Sequence, residues 1–297
     1  MLGRQRSGSV VCRSCGRLVG VRDAKCWECG ARYPALWGWA PAFRRLGEDL
    51  GFTWLAIGAC VVLYAISLLL DPSGIRAGGF LNFLAPSIES GFLLGSAGQV
   101  PVLGYGRWWT VLSAGWLHGS LLHIFFNMYW VRLLVPGVAR LYGPGRMVIV
   151  YVVSSVVGFA MSSVVPALLR AFLPGVLAGP VLFIMGGERA GFTLGASAAL
   201  MGLLGALVYY GRRGGSSEVG RWAWGYAVLF FVFGIVVRAA DNWAHLGGFL
   251  GGYVMARLLD PLKPERIDHL ALALVLLALS LLSIVVSVIT GLSVVRS

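Results

Sequence analysis

From residue 52 onward the chain is a succession of long apolar runs separated by short polar or glycine-rich breaks. Runs long enough to cross roughly 30 Å of hydrocarbon fall at about 52–70, 112–135, 146–168, 192–210, 222–240, 243–260 and 268–292. They predict seven transmembrane helices. Between the third and fourth lies a shorter apolar piece, Val176 to Met185, punctuated by Pro174, Gly175, Gly179 and Pro180. It is too short to span, and the connection of about 169–191 is expected to be a surface or re-entrant loop. The first apolar run begins only at Phe52 and has no small-residue cleavage site, so it is expected to remain as an uncleaved anchor.

Composition agrees with that pattern. Hydrophobic residues make up 58% of the 297 and charged residues 12%, with mean hydropathy +0.81, where soluble domains carry about 25% charged residues. A net charge of +12 raises nucleic acid as a partner, but the placement of the charge points to membrane topology. With a cytoplasmic N-terminus, 18 of the 24 Lys and Arg fall inside: nine up to Arg45, then Arg132, Arg140, Arg146, Arg212, Arg213, Arg221, Arg257, Lys263 and Arg266. Arg76, Arg107, Arg170, Arg189, Arg238 and Arg296 fall outside. This positive-inside bias sets the orientation and adds contact with anionic lipid, and no nucleic-acid partner is expected. The expectation is a multi-pass protein of a bacterial-type cell membrane, N-terminus cytoplasmic and C-terminus exterior.

The segment before the first run carries different chemistry. Cys12 and Cys15, then Cys26 and Cys29, form two C-x2-C pairs, with Gly16 and Gly30 placed for the tight turn after each. Two such knuckles make a tetrahedral four-thiolate site, which predicts a structural Zn2+, with iron as the lesser possibility. Four thiolates leave no open position for catalysis, and a reducing cytosol disfavours the alternative of two disulfides. The spacer is short, so metal binding should supply most of the stability of this zinc-ribbon-like module, whose role is structural or in recognising a protein partner. Cys60, in the first membrane helix, reads as packing.

Ionisable and amide side chains inside a bilayer are costly and mark function. The second membrane segment holds His118, His123 and Asn127. On a helix His123 and Asn127 share a face and could donate to one point, while His118 is turned away and is expected to tie down the adjacent exterior loop. The fourth opens with Gly195-Ala196-Ser197-Ala198, and the sixth carries Ala244-His245-Leu246-Gly247-Gly248. A serine with a histidine is the minimum set for nucleophilic hydrolysis. Small residues recur at Ala198, Gly202 and Ala206, and again at Gly248, Gly252 and Ala256 beside His245, which permits the close approach a serine needs to hydrogen-bond a neighbouring imidazole. Asp241, four residues before His245, is expected to face water or cap the helix rather than complete a triad, with Asn242 a minor supporting candidate.

As a set, His118, His123 and Asn127, then Gly195, Ser197 and Ala198, then Ala244, His245, Gly248 and Gly252, resemble the rhomboid intramembrane serine proteases in order and spacing. The resemblance covers about 52–260 and implies an all-α polytopic fold: a six-helix catalytic core with a seventh C-terminal helix and tail at 261–297, preceded by a metal-binding module at 1–33 and a linker at 34–51. It also implies an endopeptidase acting on transmembrane protein substrates through a Ser197–His245 dyad and an acyl-enzyme. His123, Asn127 and the Ser197 N–H would hold the oxyanion, no cofactor would serve catalysis, and the site would open to the exterior. The chain departs from the family pattern at Trp109-Thr110, where a Trp-Arg pair is common, at Ala139 in place of a glutamate, and at Met201 in place of an aromatic residue one turn below the serine. A catalytically inactive relative that binds transmembrane helices is the alternative. A metal-handling channel would need further carboxylates or cysteines in the helices, and none accompany His118, His123 and His245; zincin chemistry would need H-E-x-x-H, which does not occur. His269 is expected to be interfacial.

Overall fold

The computed structural model describes residues 4–12, 15–44, 46–186, 191–237 and 240–295. Arg13, Arg45, Arg189, Arg238 and Arg296, counted in the charge distribution, lie outside the described residues.

Two short antiparallel strands, β1 (Ser9–Val11) and β2 (Leu18–Gly20), pair Val10 with Val19 and carry the first cysteine knuckle on the turn between them. A bridge between Lys25 and Arg32 closes the second. Among the described residues, Val10, Val19, Val21, Ala31, Ala35 and two of the cysteines form one buried cluster in the module. The chain beyond Tyr33 folds back onto this unit: the Gln5 N–H donates to Gly38 O and the short helix α1 (Ala40–Arg44) lies against β1.

The membrane part begins with α2 (Phe52–Leu70), whose first turn is held by the Asp49 carboxylate accepting from the Gly51 and Thr53 N–H groups. A long loop comes next, containing α3 (Ile88–Leu94) and α4 (Thr110–Ser113). Then come α5 (Leu121–Tyr142), α6 (Pro144–Phe172), α7 (Gly175–Ile184), α8 (Ser197–Arg213), α9 (Ser217–Val237), α10 (Asn242–Leu259) and α11 (Ile267–Val295). Among the described residues five of these, α2, α5, α6, α9 and α11, are long and apolar enough to cross a membrane. Of the others, α7 is a short apolar helix, and α8 and α10 carry the serine and the histidine.

Two elements differ most from expectation. The second span starts at Leu121 and not near 112, because the Ser120 hydroxyl accepts from the His123 N–H and caps the helix there. The equally apolar residues before it form α4 and a 3-10 turn at Ala114–Trp116. The 175–184 piece is a helix and not a loop. In apolar surroundings a backbone must satisfy its own hydrogen bonds, and the Pro174 carbonyl accepts from Leu177 and Ala178 to start the turn.

The core is where α6, α8 and α10 meet. Every residue of α8 from Ala198 to Val208 is buried, making it the central helix. Gly248 lies against the Ala198 backbone and Gly252 against that of Gly202, so α8 and α10 run parallel with their first turns side by side. A methyl at Gly158 of α6 would sit 2.6 Å from Ala244 O and 2.8 Å from Ala198 Cβ, which clamps the same two turns from a third side. Small residues here do in lipid what large ones do in water: they let dispersion contacts accumulate over closely approaching backbones.

Candidate active site

Ser197 is the first residue of α8 and is partly exposed, while His245, in the first turn of α10, is buried. Their neighbours Ala198 and Ala244 share one buried cluster with Ala97, Ala114 and Phe159. The parallel seam therefore brings the serine and histidine turns together. The hydrogen bond expected between the two side chains is not formed, and His245 Nδ1 has no partner either. The seam fixes the helix backbones and not the serine rotamer, so contact of the turns does not by itself close the last bond.

His123 reaches the same place from α5. Gly195, at φ 128°, has no side chain, and a Cβ there would stand 2.7 Å from His123 Cε1 and Nε2 and 3.8 Å from Ser197 Oγ. Only glycine admits both the backbone angle and the ring. The Gly119 N–H donates to His123 Nδ1 at 3.3 Å, which assigns the proton to Nε2. An N–H donor thus faces the backbone just ahead of the serine, the arrangement an oxyanion requires.

Asn127 is spent in part within its own helix: Nδ2 donates to His123 O at 2.8 Å, leaving one Nδ2 proton, and Oδ1 is buried without a partner. His118 is placed differently from expectation. Because the helix starts at Leu121, His118 lies in the preceding turn and packs its ring edge-on against His123 with centroids 5.2 Å apart. Neither of its nitrogens makes a hydrogen bond of ordinary geometry, and its ring lies against that of His123.

Asp241 caps α10, accepting from the Trp243 and Ala244 N–H groups at 3.0 and 3.1 Å, and also takes the Ser162 hydroxyl. Asn242 is buried against Gly234 of α9 and does not support the histidine ring. Met201 is buried one turn below Ser197, and Ala139 is buried on α5 with its carbonyl accepting from Gly143. His269 accepts from Arg146 Nε at 3.2 Å at the foot of α11.

The framework holding Gly195 has no signature in the sequence. The Gly195 N–H donates to Ala114 O at 3.0 Å, and Thr193 pairs with Ala97 in a two-bond bridge. Arg107 is equally unannounced, buried and bonded to α11, although serines at 280, 283 and 287 in a mostly apolar helix are a signal of polar company there.

In the module the four sulfurs lie within 4.8 Å of one another, with Cys12–Cys29 at 3.8 Å and Cys15–Cys26 at 3.7 Å, and none is in a disulfide. A tetrahedron of thiolates around zinc has edges of about 3.8 Å, so the set fits a metal ion. Gly16 and Gly30 take positive φ, and the Gly16 and Gly30 N–H groups donate to Cys12 O and Cys26 O, closing each knuckle. Burial raises the Cys26 thiol, but N–H groups of Cys29 and Glu28 and neighbouring thiols outweigh it and bring it to about 7. Burial takes Cys29 up to about 12. Four crowded thiols lose their protons together only around a cation.

A family model described as Rhomboid domain matches residues 105–261. The chain is 28% identical over 179 residues to the rhomboid protease GluP of Bacillus subtilis, covering 59% of this chain and 31% of that protein. It is 27% identical over 188 residues to RHOMBOID-like protein 6, mitochondrial, of Arabidopsis thaliana, covering 60% and 52%. With the rhomboid protease GlpG of Klebsiella pneumoniae it shares 25% over 225 residues, covering 73% and 66%. The chain therefore spans about a third to two thirds of the length of these curated relatives.

Proposed function

Because this chain belongs to the rhomboid family, with the match covering more than half of its residues, we propose that it is an intramembrane serine endopeptidase that cleaves transmembrane or juxtamembrane segments of membrane proteins. The observation that supports this is that the His123 ring and Ser197 flank one glycine, Gly195, at the start of α8, while Ala244, next to His245, shares a buried cluster with Ala198, next to Ser197.

Rotation about Ser197 χ1 brings Oγ to the His245 ring, which takes its proton as Oγ attacks the scissile carbonyl carbon. The carbonyl π electrons move to oxygen, and that oxyanion is held by His123 Nε2–H, the free Nδ2 proton of Asn127 and the Ser197 N–H. Collapse breaks the C–N bond as the imidazolium gives its proton to the leaving amine. Water, deprotonated by the same ring, then releases the acyl group as a carboxylate. With Nδ1 of His245 unpartnered, the pair works as a dyad. The module holds a structural Zn2+ on Cys12, Cys15, Cys26 and Cys29 and offers a surface to a protein partner. With that module cytoplasmic, the site opens to the exterior.

A catalytically inactive member that only holds transmembrane helices is the second reading, favoured by the missing bond between Ser197 and His245. Reaction with a fluorophosphonate separates the two. Ser197 is expected to label, labelling is expected to disappear in His245→Ala, and cleavage of a single-span reporter should vanish in Ser197→Ala. His123→Ala should lower kcat by roughly a hundred- to a thousandfold with KM little changed. Reporter cleavage that survives Ser197→Ala rules out Ser197 as the nucleophile.

A further inference from the structure

The loop between α2 and α5 is gripped on two sides. On one side α11 holds it through a buried polar cluster. The Arg107 guanidinium, 2% exposed, donates Nη1 to Phe92 O at 2.8 Å and Nη2 to Ser287 O at 2.6 Å, and lies over the Phe92 ring at 4.1 Å. Trp109 Nε1 donates to Ser287 Oγ at 3.2 Å, and the Ser283 hydroxyl donates to Trp109 O at 2.7 Å. Glycines make room for this contact: a Cβ at Gly291 of α11 would meet Leu93 at 3.0 Å and Arg107 Nη2 at 3.5 Å. Among the described residues no carboxylate neutralises the guanidinium within this cluster, so carbonyl contacts must offset the burial of its charge. Losing them would release the loop.

On its other side the same loop builds the approach to the serine. Ala97 and Thr193 exchange both backbone bonds at 2.8 and 2.9 Å, the Val100 N–H donates to Gly191 O at 3.1 Å, and Ala114 O receives the Gly195 N–H. The Ser113 hydroxyl ties Gly95 O, which lies two residues before Ala97, into the same unit. Residues 191–195 thus have their extended backbone completed by a loop whose far edge is bolted to the last helix.

We infer that α11 is a working part of the active site: through Arg107 it fixes the loop that positions Gly195 and Ser197, and Arg107 is a positioning residue for the nucleophile. This rests on Ser197 being the nucleophile, and the test separates the two. The full chain, reconstituted in liposomes, is compared with Gly291→Leu, which drives a side chain between α11 and the loop, with Gly291→Ala as the smaller wedge. Leu281→Ala, on an outward face of α11 that is 65% exposed, is the control. Gly291→Leu is expected to slow fluorophosphonate labelling of Ser197 and kcat by about tenfold or more with KM within about twofold, since misplacement of a reacting group acts on the chemical step. Amide hydrogen exchange across 191–196 should rise by about tenfold, while Leu281→Ala changes neither. Arg107→Lys, which can serve only one of the two carbonyls, should retain more labelling than Arg107→Gln. Unchanged exchange at 191–196 in both Gly291 variants overturns the inference, whether or not the protein labels. Wild-type protein that does not label at Ser197 overturns the nucleophile assignment instead, and exchange still decides the role of α11.

Discussion

The seam between α8 and α10 sets the distance between the serine and histidine turns, and Gly252→Ala tests it. A methyl there would fall on the backbone of Gly202, against its carbonyl carbon, oxygen and Cα. One turn higher, a methyl on Gly248 would stand 2.9 Å from Ala198 C and 3.0 Å from Ala198 Cα, where ordinary contact is 3.4–4 Å. None of these neighbours is the end of a flexible side chain, so the two helices must part by about 1 Å. Overpacking of this kind costs about 1–3 kcal/mol, and a displacement of about 1 Å between reacting groups costs roughly a hundredfold in rate. The control is Gly225→Ala on α9, where nothing lies within 4 Å of the added methyl. Thermal melting in detergent and labelling of Ser197 are measured on both variants. Gly252→Ala should melt earlier and label about a hundred times more slowly, and Gly225→Ala should match or exceed the parent in stability. Parental labelling rate and melting temperature in Gly252→Ala would show that the seam does not set the geometry of the site.

Gly195→Ala should be inert in the labelling assay and melt earlier than the parent, since its methyl meets the His123 ring at 2.7 Å and its φ of 128° suits no other residue; activity within tenfold of the parent would refute this. Arg146, buried at the start of α6, donates to Lys263 O at 2.7 Å, to Pro264 O at 2.5 Å and to Asp260 O at 3.2 Å, tying α6 to the chain between α10 and α11. Arg146→Met leaves these acceptors and the nearby Glu265 carboxylate without their cation and should cost about 3 kcal/mol or more, read as a fall in melting temperature. Cys12→Ser should release the metal from the purified protein, measured by elemental analysis, and expose residues 4–44 to protease; unchanged metal content would refute the four-thiolate site.

The apolar runs make the long helices legible, because in a bilayer hydrophobic length is nearly the whole signal. The small-residue stripes at Ala198, Gly202, Gly248 and Gly252 are legible for the same reason: only glycine and alanine allow backbones so close. The start of α5 is not. Val111, Leu112, Ala114, Trp116 and Leu117 are as apolar as the helix itself, and the boundary is decided by one serine hydroxyl capping at residue 120. The apolar pattern therefore puts His118 in the wrong element and hides its ring packing on His123. Arg107 reads as an exterior charge and Arg146 as an interior one, yet both are buried and bonded to carbonyls far along the chain, at Ser287 and Lys263. Such pairings depend on how the chain returns on itself, which no local pattern records. The cap at Asp241 is legible because capping is a local matter of one carboxylate and the two N–H groups beyond it.

The central helix α8 has only 17 residues, a rise of about 25 Å. Arg212 and Arg213 at its other end belong at the headgroups, so a core of roughly 30 Å leaves Ser197 sunk several ångströms below the opposite surface. Lipids with longer acyl chains would bury it further, and shorter ones would lift it toward water. Membrane thickness itself, set by acyl-chain length, would thereby bear on how readily the hydroxyl is hydrated.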